Sequence, residues 1–243
     1  MKHKSLYGLV ASHTFKNLVI CCLGLTVVQM GIVFILASEH SSNLNTLEGW
    51  FDHPGFRMSY AAGMAVILFV SDLQFQWGSK VGYTMFRLGK TNKEILWVLM
   101  QNGLISYLTL WGVQVLILFG VSHYYLAVTP PEFTSVQTIF LANLRSDFFH
   151  MVIPNVTGLL WMRNLAQLFL LTVLFGVSCL RLWQGRDIKF VMCAYCVAIQ
   201  GFSSNYYGET AIFYTIVYLV LGYILLKGGL KNEEVIQPSS SGD

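Results

Sequence analysis

Long stretches of this chain carry no charge, and their spacing constrains the fold more than any other feature. A helix of about 20 apolar residues, and of at least about 17, spans the hydrocarbon core of a bilayer. The second stretch reaches this length only by continuing past Asp72. The pattern predicts an all-α membrane protein with six transmembrane helices, at about 17–37, 58–75, 95–121, 164–180, 190–207 and 210–226.

The composition of the chain agrees with a membrane protein. Apolar residues make up 55% of the sequence and charged residues only 11%, whereas about 25% of the residues in soluble domains are charged. A soluble chain of this size would need much more polar surface. We therefore expect one transmembrane domain over residues 1–231, followed by a flexible cytoplasmic tail over 232–243 that is rich in Ser and Glu.

The basic residues predict the orientation of the helices in the membrane. With a cytoplasmic N-terminus, every Lys and Arg except Arg57, Arg145 and Arg163 falls on the inner side of the six expected helices. Cytoplasmic loops of membrane proteins carry an excess of Lys and Arg. We therefore expect both termini to lie in the cytoplasm.

Residues 2–16 mix lysines with apolar side chains such as Leu6, Leu9 and Val10. This mixture is typical of an amphipathic helix that lies on the inner surface of the membrane. A disordered start of the chain is the alternative.

The most basic segment, between the second and third expected helices, has the pattern of a short helix. Val81, Met85 and Leu88 recur at helical spacing, and Gly89 suits a helix C-terminus. Thr91 and Glu94 then form the T-x-x-E pattern of a capping box, which predicts a new helix beginning there. An exposed basic helix at the membrane surface is suited to binding a soluble partner, and a plain connecting elbow is the alternative.

The outer segment 123–163 also contains apolar stretches next to polar turns. Pro131 and Glu132 suit the first turn of a helix. We expect short helices that are half immersed in the outer leaflet, with a role either in gating or in simple packing.

Motifs for catalysis or cofactor binding are absent from the sequence. It has no G-x-x-x-x-G-K-[ST] phosphate-binding loop, so we do not expect this chain to hydrolyse ATP. His40, His53, His123 and His150 are far apart in sequence, which favours ordinary loop histidines over a metal site. We expect no catalytic residue, no metal and no cofactor in this chain, although an outer metal-dependent hydrolase site built on His40, His53, His123 and Glu132 is an alternative.

Two segments resemble the permease subunits of type-2 ABC exporters. The first is Arg87-Leu88-Gly89-Lys90-Thr91-Asn92-Lys93-Glu94-Ile95, which resembles the loop after their second membrane helix. The second begins at Phe175-Gly176-Val177-Ser178 and ends at Gly185-Arg186, and it resembles the end of their fourth membrane helix with the basic turn that follows.

This resemblance implies a multi-pass protein of the plasma (cytoplasmic) membrane, in a bacterium, with two protein partners. One is a separate ATP-binding cassette subunit that binds ATP and Mg²⁺, and the other is a second permease chain, identical or related. Nucleic acid is not an expected partner. The helix between the second and third spans would be the coupling helix that binds the ATPase, with the contact residues Tyr83, Met85, Phe86, Arg87, Lys90, Lys93 and Glu94.

The expected membrane helices contain few ionisable residues, which favours an amphipathic or hydrophobic substrate such as a peptide, a drug or a lipid-like molecule. Gln29, Gln101 and Gln114 are candidates for the substrate path, although polar residues in membrane helices also stabilise helix contacts. The alternative function is that of a stand-alone, non-catalytic membrane protein without an ATPase, such as a sensor, an immunity factor or a channel subunit.

Overall fold

A computed structural model of the chain describes residues 2–40, 46–74, 91–132, 134–135, 137–154, 158–200 and 209–230. Within these residues 90% are helical and none forms a strand. The helices are α1 (Lys2–His40), α2 (Leu47–Phe51), α3 (Pro54–Gln74), α4 (Asn92–Val128), α5 (Thr138–Arg145), α6 (Asp147–Val152), α7 (Gly158–Trp183), α8 (Lys189–Gln200) and α9 (Glu209–Leu230).

Five helical segments of the described chain are long and apolar enough to cross a membrane. They are Tyr7–Ser38, Leu47–Leu73, Asn92–Val128, Gly158–Trp183 and Thr210–Leu230. The prediction of an all-helical chain with membrane-length apolar helices is confirmed. The expected span at 190–207 is described only as far as the end of α8, because residues 201–208 lie outside the described part.

The N-terminal segment does not form a separate surface helix. Instead, α1 runs without a break from Lys2 to His40. Val10 and Thr14 are already buried in this first part of α1, and the Thr14 hydroxyl lies 3.0 Å from Oδ1 of Asn102 on α4. The expected boundary followed a change in polarity, but no proline interrupts the helix there, and packing against the bundle holds these turns in place.

Helix α7 lies at the centre of the bundle and packs against α4 and α9, while α1 packs against α3 and α4. Two glycines bring the backbones of α4 and α7 close together. A Cβ atom on Gly103 would lie 2.8 Å from Cγ of Phe175, and one on Gly176 would lie 2.6 Å from Cγ of Met100. Each helix therefore places a large side chain against a glycine of the other, as is common where membrane helices approach closely.

The short helices α2, α5 and α6 gather at one end of the bundle, and we call this group the cap (residues 47–51, 138–145 and 147–152). Short helices are present in the outer segment, as expected, but the first of them begins at Thr138. The expected helix start at Pro131 and Glu132 is wrong, because these two residues lie in a turn. The cap and the start of α3 enclose a cluster of aromatic side chains with no exposed surface, namely Trp50, Phe51, Phe56, Phe148 and Phe149.

The carboxylate of Asp52 links α2 to the start of α6 in the cap. Oδ1 of Asp52 accepts hydrogen bonds from the backbone N–H of Phe148 (3.0 Å) and the hydroxyl of Ser146 (3.1 Å). Arg57 lies 3.4 Å from Asp52 and 3.7 Å from Asp147. Arg145 lies 3.9 Å from Glu48. Two of the three basic residues expected on the outer side are thus paired with acidic residues of the same end.

A glycine turn ends α7. Gly185 has a φ of 67°, and the N–H groups of Gly185 and Arg186 bond the carbonyls of Leu182 and Arg181 at 3.0 and 2.8 Å. These two bonds form a Schellman motif, in which glycine adopts the left-handed conformation at little cost. Beyond the turn, the backbone N–H and ammonium group of Lys189 both bond Asp187, and these bonds lower the pKa of its carboxyl.

Candidate functional site

Most of the expected ATPase-binding segment lies outside the described residues. Tyr83, Met85, Phe86, Arg87 and Lys90 all fall in the gap at 75–90, so their prediction is not tested. Lys93 is exposed and Glu94 is half buried at the start of α4.

The start of α4 confirms the predicted capping box. The hydroxyl of Thr91 accepts a hydrogen bond from the N–H of Glu94 (3.3 Å), and the Glu94 carboxylate accepts one from the N–H of Thr91 (3.4 Å). These bonds satisfy two backbone donors that the first turn of a helix leaves without partners. The long helix α4 therefore begins directly after the basic segment, at the residue that the sequence predicts.

Of the three glutamines proposed for a substrate path, Gln29 and Gln114 are in contact and Gln101 lies apart from them. Gln29 on α1 and Gln114 on α4 are fully buried and exchange two amide hydrogen bonds of 2.9 and 3.0 Å. Gln29 also donates to the hydroxyl of Ser59 at 3.0 Å. Gln101 is exposed on α4, about 20 Å along the helix from Gln114 at 1.5 Å per residue. The buried pair joins two helices, and Gln101 lies on the outside of the bundle.

The carboxyl group of Asp72 is buried between α3 and α7. Asp72 is 4% exposed, and its Oδ1 accepts a hydrogen bond from the hydroxyl of Ser178 (2.8 Å), with Sγ of Cys179 at 3.6 Å. Ionisable residues inside membrane helices are rare and are commonly functional. Because Ser178 is far away in sequence, no local motif could have identified this contact.

A pocket opens between α3, α4, α6 and α7, and it has a volume of about 190 Å³. Its walls are mostly apolar and aromatic. The lining residues are Tyr60, Met64, Tyr107, Leu108, Trp111, Met151, Val152, Trp161, Asn164, Leu165, Gln167, Leu168 and Leu171. No local sequence motif marks this site, because four separate helices contribute to it.

Several polar side chains of the pocket wall hold neighbouring elements in place. The indole N–H of Trp111 donates to the carbonyl of Val152, and the amide nitrogen of Asn164 donates to the carbonyl of Met151, both at 2.8 Å. The Gln167 amide donates to the carbonyl of Ala198 at 2.6 Å. These bonds join α6 to α4 and α7, and α8 to α7. Helices α4, α6 and α7 around the pocket are therefore connected to one another by hydrogen bonds.

The histidines considered for an outer metal site do not form one among the described residues. His53 and His123 are exposed, and the ring Nε2 of the buried His150 lies 2.8 Å from the carbonyl oxygen of Leu144. In the described parts of the chain, no three His, Cys, Asp or Glu side chains are grouped as metal ligands would be.

The described residues form helices and no strand, and five of the helical segments are long enough to cross a membrane. This structure is consistent with a multi-pass membrane protein. No protein-family model, curated protein or solved structure matches this chain.

Proposed function

We propose that this chain is the transmembrane permease subunit of an ATP-driven ABC exporter. In this proposal it crosses the bacterial plasma membrane six times, with both termini in the cytoplasm and residues 190–207 as the fifth span. Two permease chains form the path. A separate ATPase binds ATP and Mg²⁺, and its motion drives the transport of an amphipathic or hydrophobic substrate.

The observation that carries the proposal is the capping box at Thr91 and Glu94. It marks the end of the basic segment and the start of the longest apolar helix after α1. A capped helix is well suited to transmit the motion of a bound partner into the membrane, because two of the backbone N–H groups at its start have partners. The exposed Lys93 in this turn is available to an acidic partner.

The proposed ATPase contact uses both charge and apolar anchors. Arg87, Lys90 and Lys93 would orient the segment on an acidic surface, since complementary charges act mainly on specificity and association rate. Tyr83, Met85 and Phe86 would supply most of the binding energy, as aromatic residues and methionine often do at interfaces.

Co-purification from the native host tests this proposal. The tagged chain is extracted in a mild detergent, and its partners are identified by mass spectrometry. We expect an ATP-binding cassette subunit with the native chain, and its loss when Arg87, Lys90 and Lys93 are all changed to Glu.

A matched control separates partner binding from membrane orientation. Changing Arg186, Lys189 and Lys227 to Glu reverses the same number of charges on the same expected side of the membrane. This variant should keep the ATPase. If no ATPase accompanies the native chain while other membrane complexes stay intact, the proposal fails and the stand-alone membrane protein becomes the better assignment.

A further inference from the structure

The pocket between α3, α4, α6 and α7 has its mouth on the side of the helix bundle. Leu108, Trp161 and Leu165 line this mouth and are 43%, 42% and 60% exposed. Exposed apolar side chains along membrane-length helices face lipid when the bundle is in a bilayer. The mouth therefore opens towards hydrocarbon rather than towards water at an end of the bundle.

The depth of the pocket places it within the membrane. It is lined from Trp161 to Leu171 on α7 and by Tyr107 to Trp111 near the middle of α4. On α3 it reaches Met64, the tenth residue after Pro54 at the helix start. At 1.5 Å per residue, these positions lie up to about 20 Å below the cap end of α7.

The chemistry of the wall selects an apolar guest. Apolar lining residues include Met64, Met151, Val152, Leu168 and Leu171, and the uncharged polar groups of the lining belong to Tyr60, Tyr107, Asn164 and Gln167. Among the described residues that line it, none is Lys, Arg, Asp, Glu or His. A charged or strongly polar guest would lose its hydration without compensation, whereas a hydrocarbon chain would only exchange one apolar environment for another.

We propose that this pocket binds the hydrocarbon chain of a single-chain amphiphile that enters sideways from the membrane. The head of the amphiphile stays near Trp161 and Asn164, at the end of the pocket closest to the cap, because tryptophan favours the membrane–water interface. A narrow concave site without charge offers little to a peptide partner, and hydrocarbon chains are the neighbours of this surface in any bilayer. The inference needs the helices to lie in a membrane, but it does not need an ATPase.

Photolabelling tests the proposal directly. The full chain is placed in phosphatidylcholine nanodiscs that contain, as a minor component, lysophosphatidylcholine with a diazirine in its acyl chain. After illumination and proteolysis, mass spectrometry locates the adducts. We expect them on peptides that contain Tyr107–Trp111 and Leu165–Leu171, and we expect unlabelled lysophosphatidylcholine to compete.

Two matched substitutions separate pocket binding from general contact with lipid. Leu168→Trp places an indole inside the pocket, while Leu116→Trp adds the same group to α4 at a position that is 71% exposed. We expect labelling of the pocket peptides to fall about tenfold in Leu168→Trp, equivalent to about 1.4 kcal/mol of binding. It should not change in Leu116→Trp.

Leu108→Trp narrows the mouth from the opposite wall and replaces Leu168→Trp if that variant aggregates. Even labelling of all lipid-facing peptides, without competition and without a response to the pocket variants, would overturn the proposal. Covalent links from the pocket peptides to a second copy of the chain would also overturn it, since the occupant would then be protein.

Discussion

At the scale of single residues, Gly103 determines how closely α4 can approach α7. Changing Gly103 to Ala would place a methyl group 2.8 Å from the ring of Phe175. That ring is fully buried and cannot move away without disturbing its neighbours. Overpacking of this kind costs about 1–3 kcal/mol, so we expect a lower thermal midpoint in detergent, by about 2–4 °C for each kcal/mol.

Gly112 provides a control on the same helix. A Cβ atom there would meet no other atom within 4 Å, so Gly112→Ala should leave the midpoint unchanged or raise it slightly. Equal midpoints for the two variants would contradict the close contact between Gly103 and Phe175.

The buried pair of Gln29 and Gln114 allows a second prediction at this scale. Replacing Gln114 by Leu leaves Ser59 as the remaining side-chain partner of the Gln29 amide, so this variant should unfold more easily. Changing both residues to Leu should recover part of the loss, because neither amide of the pair is then left in the bundle without its partner. A double-mutant cycle should give a coupling energy of about 0.6–1.7 kcal/mol, the range for polar contacts between membrane helices.

A coupling energy near zero would show that the two glutamines act independently. That result would favour the prediction that these glutamines line a substrate path. The cycle is measured by denaturation in mixed detergent, with a transport assay beside it once a substrate is known.

At the scale of helices, local patterns predicted some of the ends well. The T-x-x-E pattern located the start of α4. The end of α7 was expected at 180, whereas the helix ends at Trp183, before the turn at Gly185. The capping box acts through bonds between residues close in sequence, so it can be read without knowing the fold. The start of α1 could not be read in this way, because its first turns are held by distant residues such as Asn102.

The capping box gives a prediction for the stability of one helix end. Thr91→Ala removes the acceptor for the N–H of Glu94, and loss of a cap costs about 0.5–2 kcal/mol. We expect faster hydrogen exchange at the amide of Glu94 and its neighbours, measured by mass spectrometry.

Thr109→Ala is the control for this change. Thr109 is exposed in the interior of α4, and its hydroxyl bonds only the carbonyl of Ile105 in the preceding turn. This variant should not alter exchange near Glu94. If Thr91→Ala also leaves exchange there unchanged, the capping box does not hold the start of α4.

At the scale of the whole molecule, the sequence predicted helices but not their neighbours. Hydropathy identifies apolar stretches because each one must match the bilayer. It contains no information on which helix lies at the centre, and the contacts of α7 with α4 and α9 depend on residues far apart in sequence. The pocket, the aromatic cluster of the cap and the contact of Asp72 with Ser178 are of this kind, so none of them could be read from local motifs.

The number of crossings decides the topology of the whole chain. The five membrane-length helices alone would place the two termini on opposite sides, because five is odd. Cytoplasmic locations for both termini therefore require one more crossing, and residues 190–207 are the segment proposed for it. The location of the C-terminus is thus a direct test of whether α8 belongs to a sixth span.

Cysteine labelling in intact cells measures this location. In a chain whose five native cysteines are changed to Ser, single cysteines at Ser5, Ser135 and Ser240 are treated with a membrane-impermeant maleimide. We expect the cysteine at Ser135, near the cap, to react in intact cells. The cysteines at Ser5 and Ser240 should react only after the cells are permeabilised. If Ser240 reacts in intact cells while Ser5 does not, the chain crosses an odd number of times. The fifth span is then absent, and the six-span permease architecture fails with it.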